Sequence, residues 1–186
     1  MEYYALDKAA FEAEYFEKGV VRAEEAQWRH WPASAALFLG DFPGAVRCAP
    51  LGLLGCSYTE GPFLHLIQGD EQRRGKGEPA RARVLCQVAT GAVVGLAAWD
   101  WDTLWPSTCV VDLYCYPGFR EDGWALLGEL ALPAAERCGA YNDAECRQKR
   151  YALLTAGFRP VGLKPRWVAP DRARTRLLDV EVGEKA

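Results

Sequence analysis

The 186-residue sequence lacks any apolar run near the roughly 20 residues that a membrane-spanning helix needs. Its first eight residues show neither the basic region nor the apolar stretch of a secretory signal, and no internal repeat or low-complexity tract stands out. The formal net charge of -3 gives no bulk electrostatic sign of binding to nucleic acid or to a membrane surface. We therefore expect one cytoplasmic domain that has neither of those partners.

Metal-ligand patterns are also scarce. There are only two histidines, His30 and His65, and none of the seven cysteines belongs to a Cys-x-x-Cys pair. A metal site would need clustered cysteines and histidines, so we predict no metal. Several cysteines lie inside apolar runs, which favours reduced, buried thiols that act as small hydrophobic side chains.

The middle of the chain contains an ordered series of short apolar segments. They are rich in β-branched or aromatic residues and are bounded by Gly, Pro or Asp, which is typical of strands. The segments span residues 84–89, 93–99 and 109–116. The Thr90-Gly91 turn predicts that the first two strands form an antiparallel pair.

A Gly-containing loop follows the third predicted strand. Pro117-Gly118 ends that strand, and residues 119–125 then lead into an apolar helix, 126–132, which Pro133 interrupts or kinks. Such a loop can direct several backbone N–H groups at a pyrophosphate, because glycine permits close approach and a helix N-terminus favours negative charge. The order of elements therefore predicts a site for a phosphate-bearing ligand.

This order of elements resembles the GNAT acyltransferase superfamily, whose members bind acetyl-CoA through a strand, a [Gln/Arg]-x-x-Gly-x-[Gly/Ala] loop and a helix. The stretch Arg120-Glu121-Asp122-Gly123-Trp124-Ala125 fits the loop pattern. Downstream, residues 138–142 resemble the family's next strand, residues 143–156 its next helix, and Gly157-Phe158 the Gly-Phe that opens the strand after it. The resemblance covers residues 80–182 and implies an α/β fold, with a mixed, mostly antiparallel sheet flanked by helices.

A second match to the loop pattern lies upstream, at Gln72-Arg-Arg-Gly-Lys-Gly77. It carries basic residues, but it falls within the polar run 69–79, and the apolar residues after it fit a strand better than a long helix. Helical spacing of Ala80, Val84 and Val88 leaves this alternative open. We predict that residues 69–83 form a solvated loop.

The first fifty residues are predicted to be mainly helical. An apolar stripe on the Glu-rich segment 11–16 indicates a helix that Gly19 ends, and residues 23–31 and 33–39 indicate a second helical stretch.

Two further features of the sequence concern strands and tryptophans. Residues 51–57 and 63–67 are candidates for an extra hairpin. We expect Trp28 and Trp99 in the core, whereas loop tryptophans fit either the core or an apolar acceptor pocket. Those loop residues are Trp101 and Trp105.

The resemblance implies an acyl-CoA-dependent N-acyltransferase, which moves an acetyl group from acetyl-CoA to a primary amine of a small molecule or protein. In a single domain, 1–186, residues 1–68 would form the acceptor side and 80–182 the acyl-CoA-binding core. A homodimer is left open. Residues 120–125 would cradle the pyrophosphate, and the strand before them would hold the pantetheine arm and polarise the carbonyl. The implied cofactor-binding set is completed by Tyr114, Cys115, Tyr116 and Asn142.

Acid–base groups for this reaction are less clear in the sequence. Asp112 is the only carboxylate on the strand before the loop and so the first candidate base, although strand alternation equally allows a structural role. The family's usual proton donor is a Tyr four residues before the Gly of the Gly-Phe pair, where this chain has Leu153. Tyr151 is the candidate on the same helix, but it lies about 200° around the axis. Tyr141, Tyr116 or unassisted thiolate departure are the alternatives.

The loop itself departs from the family's pattern. Glu121 and Asp122 place carboxylates where the family commonly has basic residues, which should weaken pyrophosphate binding unless the side chains turn outward. The distance from the loop to Gly157-Phe158 is also short for the family. The alternative function is therefore a degenerate, non-catalytic GNAT-like domain that acts as a binding or interaction module.

Overall fold

The computed structural model describes residues 19–34, 37, 62–102, 105–143, 146–169 and 176–185. Within these ranges seven strands form one sheet, in the order β1-β2-β3-β4-β5-β7-β6. The strands are β1 (Val21–Glu25), β2 (Ala82–Gln87), β3 (Val93–Trp101), β4 (Thr108–Cys115), β5 (Arg137–Asp143), β6 (Arg159–Ala169) and β7 (Arg176–Lys185). The helices are α1 (His30–Ala33), α2 (Pro62–Arg74), α3 (Arg120–Glu129) and α4 (Arg147–Thr155), with a 3-10 turn at Pro117–Phe119.

The sheet confirms the predicted fold class. All neighbouring strands are antiparallel except β4 and β5, which run parallel, so the sheet is mixed and mostly antiparallel. The predicted hairpin is β2 and β3, and its turn contains Gly91 with φ of 71°, a left-handed conformation that glycine adopts without a Cβ clash. The predicted strand at 138–142 is β5, and Gly157-Phe158 leads directly into β6.

Helices cover both faces of the sheet. The first apolar cluster packs the sheet against α3 and α4, and includes Trp99, Val111, Leu126, Leu153 and Phe158. The second cluster, on the other face, joins α2 to the sheet through Leu66, Ile67, Val84, Leu96 and Val110. Because successive residues of a strand point to opposite faces, Asp112 shares the parity of Val110 and Tyr114.

The helix predicted for residues 23–31 is wrong. Residues Val21–Glu25 form β1, which pairs antiparallel with β2, and Val21 and Ala23 pack against the first cluster. Their two-residue alternation with Arg22 and Glu24 fits an edge strand, and pairing with β2 outweighs the weak helix propensity of the segment. Helix starts only at His30. The stripe at 11–16 lies outside the described residues.

The strand predicted for residues 63–67 is also wrong, because these residues belong to α2. Leu66, Ile67 and Asp70 are the buried side of that helix. The buried Asp70 carboxylate accepts the backbone N–H groups of Arg81 and Ala82 at 2.9 and 3.1 Å, which ties α2 to the start of β2. A polar residue on the buried side hides the helical periodicity in the sequence. The other half of the predicted hairpin, 51–57, lies outside the described residues.

Three smaller predictions also need correction. The solvated loop predicted at 69–83 is shorter, since α2 continues to Arg74. Trp99 is buried as predicted, but Trp28 is 41% exposed, because its indole N–H reaches the Glu71 carboxylate at the surface. Helix α3 ends at Glu129, before Pro133 can interrupt it. No helix in the described ranges has the length and apolar character needed to cross a membrane.

Candidate functional site

Strands β4 and β5 are paired over only part of their length. Their parallel register runs from Thr108 and Arg137 to Val111 and Ala140. Beyond this point β4 remains paired with β3, and β5 remains paired with β7. The two strands therefore part between residues 112–115 of β4 and 141–143 of β5. We refer to this place as the split.

The register of β3 and β4 shows which amides of β4 face the split. Backbone N–H of Tyr116 donates to the Val94 carbonyl of β3 at 2.8 Å. Because donor direction alternates along an antiparallel strand, the N–H of Tyr114 also points to β3, whereas those of Leu113 and Cys115 point to the split. The predicted set Tyr114, Cys115 and Tyr116 therefore contains one split-facing amide, and sequence reasoning missed Leu113.

Asp112, the predicted base, forms a buried ion pair in the split. Lys149 Nζ of α4 donates to Asp112 Oδ1 at 2.6 Å, and the two side chains are 5% and 3% exposed. The same Oδ1 accepts the Leu113 N–H at 2.8 Å. The pair thus connects α4 to β4 one residue beyond the last paired residue, Val111. One of the two split-facing amides is satisfied by this carboxylate.

Helix α3 begins at the end of β4 nearest the split. The predicted loop at 119–125 is largely helical, since α3 starts at Arg120 and its N-cap is Phe119. Within the described part of the chain, no side chain caps this helix. Its first amides carry the partial positive charge of a helix N-terminus. Glu121 and Asp122 lie in the first turn and are exposed, where carboxylates interact favourably with the helix dipole.

Gly123 faces the sheet. A Cβ at this position would lie 2.9 Å from Cys115 Cβ and would collide with Cys115 Sγ, so glycine allows α3 to pack closely on β4. The Cys115 thiol donates to the Phe119 carbonyl at 3.1 Å, and burial raises its pKa to about 12. The geometry therefore gives Gly123 a packing role between α3 and β4.

The tyrosines fall into two groups. Tyr151 is 67% exposed on α4, whereas Leu153 is buried in the first cluster, so the structure does not bring Tyr151 to the buried Asp112. Tyr114 is buried in the second cluster, against which Tyr116 and Tyr141 also pack. Tyr114 and Tyr141 thus lie on the second-cluster side of the sheet, on strands that border the split, whereas Tyr116 contacts both clusters.

Asn142 is a buried residue at the end of β5. Its Nδ2 donates to the Cys146 carbonyl at 3.1 Å, immediately before α4. This contact fixes the turn from β5 into the helix that carries Lys149. The predicted cofactor residue therefore has at least a local structural role.

The upstream match to the loop pattern lies at the C-terminal end of α2. Backbone N–H groups of Gly75, Lys76 and Gly77 donate to carbonyls of Glu71, Arg73 and Arg74 at 2.9–3.0 Å. These amides are occupied in ending the helix, and a helix C-terminus carries partial negative charge. The local structure therefore disfavours an anion at Gly75.

One group of potential metal ligands occurs among the described residues, namely Glu24, His30 and Cys86. His30 Nδ1 accepts the Gln27 N–H at 2.9 Å, so the proton of the neutral ring is on Nε2, the nitrogen that faces Glu24 Oε1 at 3.5 Å. Burial raises the pKa of Cys86 to about 12. A metal at this place would have to displace both the Nε2 proton and the thiol proton.

Comparison with known proteins identifies the fold. No protein-family model matches this sequence, and no curated protein matches it. An N-acetyltransferase from Staphylococcus aureus Mu50 is 18% identical, over 89% of this chain and 98% of its own, with a TM-score of 0.56. A GNAT-family acetyltransferase from Streptococcus pneumoniae is 12% identical, over 89% and 99%, with a TM-score of 0.61.

A third similar structure contains the cosubstrate. The phosphinothricin acetyltransferase of Sinorhizobium meliloti, solved in complex with acetyl-CoA, is 19% identical, over 89% of this chain and 87% of its own, with a TM-score of 0.57. These similarities show that this chain has the fold of the GNAT N-acetyltransferases.

Proposed function

We propose that this chain is an acyl-CoA-dependent N-acyltransferase that moves an acetyl group to a primary amine of a small molecule or a protein. The observation that carries the proposal is the start of α3, a helix N-terminus without a side-chain cap in the described structure, placed where β4 and β5 part. A helix N-terminus in this position suits a pyrophosphate. Acetyl-CoA, when bound, supplies the activated thioester.

The residues of α3 are suited to hold the phosphate end of such a cosubstrate. Arg120 supplies a positive charge at the first helical position, and the exposed Glu121 and Asp122 leave the end of the helix accessible. The pantetheine arm contains amide groups, which would find the Cys115 N–H on the split-facing edge of β4. Tyr114, Tyr116 and Asn142 would border this arm through their side chains.

Proton transfer would depend on the ion pair. A neutral amine that attacks a thioester loses a proton, and Asp112 is a buried carboxylate beside the split. Lys149 occupies its Oδ1, so Lys149 must move before that oxygen can accept a proton. The phenols of Tyr116 and Tyr141 are better placed than Tyr151 to protonate the leaving thiolate, because Tyr151 lies on the exposed side of α4.

One observation favours a second function, a non-catalytic binding or interaction domain. Asp112 satisfies both Lys149 Nζ and the Leu113 N–H, so the start of the split is stabilised by the chain's own groups. A fold that has lost its cosubstrate would be expected to close its site in this way.

Titration of the folded chain with acetyl-CoA by calorimetry and thermal shift separates these functions. We expect saturable binding, and a ligand at a hundredfold excess over Kd should stabilise the fold by about 2.7 kcal/mol. Acetyl-pantetheine, which lacks the pyrophosphate, is the matched control and should bind far more weakly. No shift at millimolar acetyl-CoA would support the non-catalytic function. Release of free CoA with a panel of amines would then identify the acceptor class.

A further inference from the structure

Two cysteines lie opposite each other on the paired halves of β4 and β5. Cys109 and Cys138 are partners in the parallel register, and both side chains pack in the first apolar cluster. Both are free thiols; Cys109 is fully buried, whereas Cys138 is partly exposed. Adjacent strands lie about 4.8 Å apart, which falls within the Cα separations of about 4.4–6.8 Å that a disulfide bridges.

The two thiols differ in their readiness to react. The neighbouring Cys109 thiol lowers the pKa of Cys138, with help from the nearby Lys185 ammonium. The same contact and burial raise the pKa of Cys109. Because the thiolate is the form that reacts with peroxide, the partly exposed Cys138 is the expected point of reaction and Cys109 the resolving thiol.

We propose that Cys109 and Cys138 form a reversible redox site that hydrogen peroxide converts to a disulfide. The Cys138 thiolate attacks one peroxide oxygen, the O–O bond breaks, and hydroxide leaves, which produces a sulfenic acid. The Cys109 sulfur then attacks the Cys138 sulfur, the S–O bond breaks, and the oxygen departs as water with the Cys109 proton. Overall, two thiols lose two electrons and one peroxide is reduced to two waters.

The position of the pair gives the disulfide a structural consequence. It would link β4 to β5 two residues before their pairing ends at Val111 and Ala140. The covalent loop would contain α3, so oxidation should fix this helix and the two strands relative to each other. The closed loop also restricts the unfolded chain, so the oxidised form should have the higher Tm.

The test is peroxide treatment of the reduced, folded full chain, followed by thiol blocking and peptide mass spectrometry without reduction. We expect a peptide pair linked through Cys109 and Cys138 with the loss of two hydrogens, a rise in Tm, and reversal of both by dithiothreitol. Cys109→Ser should stop at a Cys138 sulfenic acid that dimedone traps. In Cys138→Ser, Cys109 should stay reduced. Cys146→Ser, which changes a different buried cysteine, should retain the link.

Several outcomes would overturn the proposal. The first is that the treated parent chain contains no disulfide between Cys109 and Cys138. The second is that either cysteine forms its disulfide with a different cysteine. The third is that Cys138 is converted directly to sulfinic acid while Cys109 stays reduced. Because Cys109 is fully buried, Cys109→Ala serves as a second variant if the serine destabilises the fold. Equal dimedone labelling of Cys138 in the parent and in a folded Cys109→Ala variant would also contradict a resolving role.

Discussion

The two halves of β4 are stabilised by different interactions. Residues 109–111 pair with β3 on one side and β5 on the other, and their side chains pack in the two apolar clusters. Residues 112–115 keep only the pairing with β3. Asp112 forms its buried ion pair in this half, and α3 begins at Arg120, shortly after the strand ends. Apolar residues could stabilise this place at least as well as buried charges. We therefore expect the stability of the split to depend on keeping both buried charges paired.

Loss of one member of the ion pair should have the largest effect. Lys149→Met leaves the Asp112 carboxylate buried without its cation, and we expect a loss of about 3–5 kcal/mol in the free energy of unfolding. The double variant Lys149→Met with Asp112→Asn should recover most of this loss, because no buried charge is left unpaired. Urea denaturation measures both.

Arg147→Met, an exposed change in the same helix, is the matched control for this experiment and should be close to neutral. A Lys149→Met variant as stable as the control would show that the parted half of β4 does not depend on the ion pair. The double variant also probes the split. If it remains folded and binds acetyl-CoA more tightly than the parent, the pair restricts entry of the cosubstrate.

A smaller effect is expected at the contact between α3 and β4. Gly123→Ala places a Cβ against Cys115, and such overpacking costs about 1–3 kcal/mol. Gly128→Ala in the same helix meets nothing within 4 Å, so it should stabilise by about 0.5–1 kcal/mol through helix propensity. The Tm values of the two variants should therefore move in opposite directions.

A shift in the same direction for both glycines would contradict close packing at Gly123. The comparison also bears on cosubstrate binding. A side chain at position 123 also displaces α3 from β4, and this displacement by itself would lower the affinity for acetyl-CoA. The substitution alone therefore does not locate the pyrophosphate.

The elements predicted correctly from the sequence are those with local signals. The β2–β3 hairpin combines β-branched strands with a glycine turn, and β4 ends at Cys115, two residues before Pro117. The local pattern predicts helix at β1, because the stability of this strand comes from pairing with β2, far along the chain. It predicts strand and loop at α2, because Asp70 is a polar residue on the buried side of that helix. In both segments a tertiary contact outweighed the local pattern.

The site was predictable only in part for a similar reason. An aspartate in an apolar strand marked Asp112 as unusual, but its partner Lys149 is 37 residues away, and their contact depends on where β4 and β5 part. The sequence offered one signal for Lys149, a lysine four residues before the buried Leu153 and so on the same side of the helix. The amide of Leu113 became visible only once the register with β3 was known.

The smallest expected effect concerns the acidic first turn of α3. Glu121 and Asp122 interact favourably with the helix dipole, so replacement by Gln and Asn should cost about 0.3–1 kcal/mol each at low salt. If pyrophosphate binds at the same helix end, the double variant should also bind acetyl-CoA more tightly, because two like charges are removed, and more so at low than at high salt. Calorimetry and thermal melts at two salt concentrations measure both quantities. Glu136→Gln, an exposed carboxylate outside this helix, is the control and should change neither. A less stable double variant with unchanged affinity would place the ligand away from α3, whereas no change in either quantity would show that the helix end is screened by other groups.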